Sequence, residues 1–142
     1  MMTRRSFIPR AAALLLLTLA LLGLPQMLRA QEKCFCDHYT FRVDAGVGCK
    51  VAIAWTFSPK GPVFTQTLGP GDKYKIPCPV YEAYIETCQG SYTILPIDPA
   101  GRVCSPILTI VSGCCIQACY GIDREGCRTI DIKPAGCVND IC

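Results

Sequence analysis

Cysteine dominates the chemistry that is open to this chain of 142 residues. The sequence holds twelve cysteines, and the first of them is Cys34. A cysteine can be a nucleophile, a metal ligand or half of a disulfide, and spacing and cellular compartment decide which. An even number favours six disulfides with no thiol left over. We therefore expect all twelve to be paired: Cys34, Cys36, Cys49, Cys78, Cys88, Cys104, Cys114, Cys115, Cys119, Cys127, Cys137 and Cys142.

Local spacing limits these pairings without fixing them. Cys114 and Cys115 are neighbours, and a bond between them would strain the Cα separation of about 5.5 Å that disulfides prefer. Cys34 and Cys36 would point to the same side of a strand. We expect each of the four to bond to a cysteine elsewhere in the chain.

Metal binding is the alternative use of these sulfurs. Cys34-x-Cys36-x-His38 and Cys114-Cys115-x-x-x-Cys119 bring soft ligands close together, as zinc and iron–sulfur sites require. However, the sequence contains no Cys-x-x-Cys, the spacing that most such sites use. The pattern therefore predicts structural disulfides with no metal or cofactor, and an exported metal or redox carrier remains an alternative.

Few residues suit catalysis. His38 is the single histidine, and no nucleophile elbow, phosphate-binding loop or zinc-protease motif occurs. Glu82 and Glu86 would share one face of a predicted strand about 13 Å apart, too far for a glycosidase pair. The sequence predicts a non-enzymatic protein without catalytic residues, and these two acids are interpreted as a solvated strand face.

The first 30 residues have the organisation of a signal peptide. A basic start precedes an apolar run over residues 11–24, which as a helix would reach only about 21 Å of a hydrocarbon core about 30 Å thick. Cleavage is predicted after Ala30. The mature chain would then lie outside the cytosol with no membrane span, in a compartment where disulfides persist.

Within this leader, Thr3-Arg4-Arg5-Ser6-Phe7-Ile8 resembles the twin-arginine export signal of bacteria, Ser/Thr-Arg-Arg-x-Phe-Leu-Lys, with Pro9 in place of the final lysine. The resemblance implies a bacterial protein exported in the folded state. The leucine-rich run and the disulfides instead favour general secretion of an unfolded chain. Both routes end in the periplasm, at the cell surface or in the medium.

The positive net charge belongs to the leader. Without its four arginines, ten Lys or Arg remain against eleven Asp or Glu, mostly scattered singly. Lys73 and Lys75 are the nearest approach to a cluster. Since nucleic-acid binding needs several phosphates neutralised together, we expect no nucleic-acid partner.

The mature sequence reads as strands and turns. The clearest alternation places five residues on one face: Cys49, Val51, Ile53, Trp55 and Phe57. About seven such strands, with turn signals every 8 to 12 residues, predict a disulfide-rich antiparallel β-sandwich over residues 31–112, for which an immunoglobulin-like topology is one candidate. Residues 113–142 hold six cysteines and few large apolar groups. They are predicted to be a disulfide-stapled extension of the same domain.

These observations favour a secreted or periplasmic module of a bacterial envelope that is structural, adhesive or binding. It would contact a protein or the envelope surface through strand faces or edges. Phe64, Tyr84 and Tyr120 are the aromatic residues that we expect to be able to face a partner. The alternatives are the metal or redox carrier and a hydrolase inhibitor that presents the loop at 58–62 or the loop at 98–102.

Overall fold

The computed structural model of the chain describes residues 34–138. The predicted signal peptide, its predicted cleavage site after Ala30 and the last cysteine, Cys142, lie outside the described residues. Within residues 34–138 every regular element is a strand, so no helix there is long and apolar enough to cross a membrane. The nine strands are β1 (His38–Val43), β2 (Val51–Thr56), β3 (Phe64–Leu68), β4 (Lys73–Pro77), β5 (Glu82–Thr87), β6 (Gly90–Leu95), β7 (Leu108–Thr109), β8 (Cys115–Ile122) and β9 (Arg128–Pro134).

These strands form two sheets, which confirms the predicted all-β sandwich. One sheet has five strands in the order β4-β1-β9-β8-β7, and the other has four in the order β3-β2-β5-β6. Neighbouring strands are antiparallel except β1 and β9, which run parallel with Phe41 opposite Ile130. The predicted antiparallel sandwich therefore has one parallel pair that the sequence did not indicate. Parallel neighbours need a long connection, and nearly the whole described chain supplies it.

One hydrophobic core lies between the sheets, and the predicted alternation builds it. Val51, Ile53 and Trp55 of β2 point inward and are at most 5% exposed. They meet residues of the other sheet such as Phe41, which is fully buried. Burying side chains of this size stabilises a fold by about 1.5–3 kcal/mol each. Phe57 follows the same alternation but lies beyond the end of β2, and it is 42% exposed.

The residues after 113 are more integral to the sandwich than the sequence indicated. Instead of an extension packed on the sandwich, β8 and β9 are interior strands of the five-stranded sheet. Ile116, Ile130 and Ile132 are buried to 1% exposure or less. These three isoleucines are enough to anchor the segment in the core, although Ile122 and Val138 of the same segment are exposed. Backbone pairing between β8 and β9 also holds this segment in the sheet.

The structure joins the described cysteines as disulfides and leaves none free. Cys114 and Cys115 have separate partners, as predicted, and so have Cys34 and Cys36. Because Cys49 precedes β2 and Cys114 precedes β8, their bond connects the two sheets. Cys88 is also disulfide-bonded. The other bonds are Cys34–Cys78, Cys36–Cys127, Cys104–Cys119 and Cys115–Cys137.

Candidate interaction surface

The two sheets end in four edge strands, and β4 is protected against pairing with another chain. An edge strand exposes unpaired N–H and C=O groups that can template a foreign strand, and natural proteins block this with Lys, Pro, bulges or short strands. On β4, Lys73, Lys75 and Pro77 alternate along the strand and are exposed. The edge at β4 therefore resists strand addition.

Two further edges are also blocked. Strand β7 is only two residues long. Strand β6 pairs with β5 through an irregularity at Ala83 and Tyr84. Near its end, the carbonyl of Ile94 accepts a hydrogen bond from the hydroxyl of Tyr120. Just before β6, the N–H of Cys88 donates to the carbonyl of Thr109 at 2.9 Å, which ties this side of the four-stranded sheet to β7.

Strand β3 has none of these protections. It reads Phe-Thr-Gln-Thr-Leu, without charge, proline or bulge. Within residues 34–138 its backbone pairs with no strand other than β2, in an uninterrupted register from Trp55 opposite Phe64 to Val51 opposite Leu68, and the side chain of Gln66 also donates to the β3 backbone. The edge of β3 that faces away from β2 therefore presents backbone donors and acceptors to a further strand.

A row of aromatic rings connects this edge to the core. The ring of Trp55 lies 5.6 Å from that of Tyr74 on β4 and stacks on Phe64 at 6.1 Å between centroids. Phe64 in turn meets Phe57 edge-on at 5.5 Å. Such offset and edge contacts are favourable aromatic geometries. The buried Trp55 thus holds two more exposed phenylalanines at the flank of the sandwich.

Exposed apolar side chains cluster where β3 begins. Phe57, Val63 and Phe64 are 42%, 55% and 42% exposed. The connection from β2 to β3 turns tightly, with the N–H of Gly61 bonded to the carbonyl of Ser58 at 3.2 Å. This turn brings Phe57 back beside Phe64. Contiguous exposed apolar groups mark interaction surfaces more often than scattered ones do, and we call these three residues with strand β3 the open edge.

Strand β3 has a different character on each of its two faces. Phe64 and Leu68 are on the face that Trp55 and Val51 share, which is the core side of the sheet. Thr65 and Thr67 are exposed on the outer side. Gln66 is half-buried on the core side with Phe64 and Leu68, and its side-chain amide donates to the carbonyl of Thr67 at 3.4 Å.

His38 has a structural partner at the start of β1. Its Nδ1 lies 2.7 Å from Oδ1 of Asp37, and this hydrogen bond and the charge of the imidazole lower the pKa of the Asp37 carboxyl. Every described cysteine is in a disulfide, so the described residues offer no thiolate for this histidine to activate.

Glu82 and Glu86 lie on the outer face of the four-stranded sheet, where the sequence predicted them. Each bonds across to β6: Glu82 Oε1 accepts from the hydroxyl of Thr93 at 3.1 Å, and Glu86 accepts from that of Ser91 at 3.4 Å. The two acids therefore serve as separate cross-strand acceptors.

One group of three potential metal ligands occurs among residues 34–138: Asp123, Glu125 and Cys127. The sulfur of Cys127 is bonded to that of Cys36 and is no thiolate. Oδ1 of Asp123 accepts from the N–H groups of Glu125 and Cys127, both at 2.9 Å. These hydrogen bonds explain why the three residues are close together: they form a turn in which the Asp123 side chain caps backbone N–H groups. Cys34 and Cys114, from the sequence patterns typical of metal sites, are likewise disulfide-bonded.

Both loops considered for a hydrolase inhibitor close as tight turns. The loop at 58–62 has the Gly61–Ser58 bond described above. In the second, the N–H of Gly101 bonds to the carbonyl of Asp98 at 2.9 Å, and Nε of Arg102 lies 2.6 Å from the Asp98 carboxylate. The N–H of Ala100 also donates to this carboxylate, and together with Arg102 it lowers the Asp98 pKa.

A shallow groove of about 500 Å³ lies on the outer face of the four-stranded sheet. Lys50 and Glu86 give it one charge of each sign, and the turn after β7 forms one wall. The remaining lining residues are Gly48, Cys49, Ala52, Thr67, Ile110, Val111 and Ser112. Neither His38 nor a free thiol is among the described residues that line the groove.

The five-stranded sheet contains an ion pair that the sequence did not indicate. Arg42 on β1 donates to Asp131 on β9 through Nε at 2.6 Å and Nη2 at 2.9 Å. The hydrogen bond to Asp131 raises the Arg42 pKa. Gly121 on β8 allows this arrangement, because a Cβ there would lie 2.7 Å from Oδ2 of Asp131 and from Oγ1 of Thr129. The two charged residues are 89 positions apart, so only the fold brings them together.

The three aromatic residues singled out from the sequence have different positions. Phe64 is on the open edge. Tyr84 is half-buried on the outer face of the four-stranded sheet, opposite Ala54. The hydroxyl of Tyr120 donates a hydrogen bond to the carbonyl of Ile94 in the other sheet.

Comparison with protein-family models, with curated proteins and with solved structures finds no match for this chain.

Proposed function

We propose that this chain is an exported, non-enzymatic binding module of a bacterial cell envelope that takes up a strand of a protein partner at the open edge. The observation that carries the proposal is strand β3, an uncharged edge strand beside exposed Phe57, Val63 and Phe64. Main-chain pairing with such an edge supplies affinity, and side-chain contacts supply selectivity.

The contrast among the four edges supports a role for this one. Long apolar edges are aggregation hazards, so an edge left open in a secreted protein carries a cost that function would offset. The same chain protects β4 with Lys73, Lys75 and Pro77. The open state of β3 is therefore a local property rather than a general feature of the sandwich.

The alternating faces of β3 define the partner strand. Its residues on the core side would pack near Phe64 and Phe57, and its residues on the outer side would lie beside Thr65 and Thr67. We expect an extended segment in which apolar and polar residues alternate, with little charge.

Export is supported by the disulfides, which are typical of extracellular or periplasmic proteins. The secreted protein is expected to lack residues 1–30. Its intact mass before and after reduction would report the cleavage site and the number of disulfides together. A cytosolic product with reduced thiols would contradict the export half of the proposal.

The binding half is tested by panning a library of random peptides against the oxidised secreted protein. We expect enrichment of alternating apolar and polar sequences. Their affinity should fall about tenfold or more for Thr65→Lys/Thr67→Lys, which copies onto β3 the lysine pattern of β4.

The matched control is Ser91→Lys/Thr93→Lys, which alters equivalent exposed positions on β6, the other edge of the same sheet. This control should bind as the wild type does. Equal binding by both double variants, or no enriched sequence from panning at a concentration where the protein is monomeric, would show that the β3 edge takes up no strand.

A further inference from the structure

We infer that the strand taken up by β3 is β3 of a second copy of this chain, paired antiparallel about a two-fold axis through Gln66. This inference rests on the proposed function, because it names the partner of the same open edge. It follows from the order of residues along β3, from the charges at the two ends of the strand and from the faces of the sheet.

The sequence of β3 is complementary to itself when reversed. With Gln66 opposite Gln66 of the second copy, Thr65 lies opposite Thr67 and Phe64 lies opposite Leu68. Each position meets one of like chemistry: apolar with apolar on the core side, hydroxyl with hydroxyl on the outer side, and amide with amide at the centre. Thr–Thr pairs and apolar pairs directly opposite each other are favourable across antiparallel strands.

Charge is complementary at the ends of the same pairing. The turn that precedes β3 carries exposed Lys60, and the turn that follows it carries exposed Asp72. Antiparallel pairing brings the start of one β3 beside the end of the other. Lys60 of each copy is therefore on the side of Asp72 of the second copy, in two symmetric pairs, with Lys73 next to Asp72, and β3 itself carries no charge.

The faces of the sheet are also compatible. A two-fold axis perpendicular to the sheet keeps the core side of both copies on one side. The two four-stranded sheets would join as one sheet of eight strands, and Phe57, Val63 and Phe64 would flank the new pairing. Since the contact is made by the same patch on both copies, it closes as a dimer instead of growing into a fibre.

A charge exchange at the two-fold axis tests this arrangement. Gln66→Lys places like charges opposite each other in a self-pair, and so does Gln66→Glu, whereas a mixture of the two variants places opposite charges there. Sedimentation should show a wild-type dimer, at least about tenfold weaker self-association of each variant alone, and a dimer restored in the equimolar mixture. Thr93→Lys on β6 should leave the dimer unchanged.

Restoration in the mixture also shows that both variants fold. Self-association that is equal in the wild type and in both single variants would overturn the two-fold pairing, and so would a wild type that stays monomeric at millimolar concentration. If such a monomer still binds alternating peptides through β3, only the second copy is wrong. If it binds none, the proposed function fails as well.

Discussion

Phe64 stacks on Trp55, with ring centroids 6.1 Å apart and planes 18° from parallel. One ring is buried and the other is at the solvent, so this contact fixes an exposed aromatic group to the core of the sandwich. A preorganised aromatic group loses less side-chain freedom on binding than a mobile one does. The open edge is in this respect prepared for a partner.

Truncating a phenylalanine to alanine should cost much less stability at the open edge than in the core. We expect Phe57→Ala to lower the free energy of unfolding by about 1 kcal/mol or less, because the side chain is half exposed. Phe41→Ala, at a fully buried position of β1, should cost about 3–5 kcal/mol. Urea unfolding measures both values. Peptide binding should weaken for the first variant, and a loss of stability as large as that of Phe41→Ala would place Phe57 in the core instead.

The disulfide that joins the sheets should contribute more than a local one. Cys49–Cys114 closes a separation of 65 residues and Cys104–Cys119 one of 15. The chain-entropy relation gives about 4 and about 3 kcal/mol, respectively. We expect the Cys49→Ser/Cys114→Ser variant to unfold at lower urea concentration than Cys104→Ser/Cys119→Ser. The reverse order would indicate that the tie between the sheets is not a main constraint.

The structure leaves no room at Gly121 for even the methyl side chain of alanine. Its Cβ would approach Asp131, whose carboxylate Arg42 holds by two hydrogen bonds, and Thr129, which is 1% exposed. Neither group can move without losing a partner, so Gly121→Ala should destabilise the fold by about 1–3 kcal/mol. Gly136→Ala is the control, because a Cβ there meets nothing within 4 Å. Equal unfolding midpoints for the two variants would contradict the close approach at Gly121.

The turn at Asp98 should be sensitive to acid. The N–H of Ala100 and the guanidinium of Arg102 lower the Asp98 pKa below its ordinary value of 3.8. A lowered pKa in the folded state adds stability at pH values above the unfolded pKa, and this stability is lost as the pH falls through the folded pKa. Asp98→Asn removes the charge and should be less stable than the wild type at pH 7.

The difference in stability between the wild type and Asp98→Asn should shrink below pH 3.8 and vanish in stronger acid. Urea midpoints of the two proteins at pH 7, 4 and 2 measure it, since the contributions of other acids cancel in the comparison. A difference that is constant with pH would mean that the charge of Asp98 does not stabilise the turn.

The sequence was sufficient where local alternation decides the structure. The faces of β2 followed directly from Val51, Ile53 and Trp55, and the separate partners of Cys114 and Cys115 followed from disulfide geometry. It misjudged β8 because the outward positions of that strand are Cys115, Gln117, Cys119 and Gly121, which give no alternation of apolar with charged residues.

The candidate surface was only partly foreseeable. Phe64 could be singled out as an exposed aromatic, but strand order in the sheets depends on contacts between distant segments. That β3 is an edge and β2 is interior follows from the pairing of β2 with β5, about thirty positions later, as Ile53 with Ile85. The same holds for Arg42 and Asp131, which meet only because the first and last strands are neighbours.

Amide hydrogen exchange along β3, measured at a concentration where the protein is monomeric, with and without the strongest peptide from the library, tests strand addition most directly. A strand bound at this edge should protect every second amide of Phe64–Leu68 about tenfold or more and leave the amides of Gly90–Leu95 unchanged. Peptide binding that leaves exchange along Phe64–Leu68 unaltered would contradict the account.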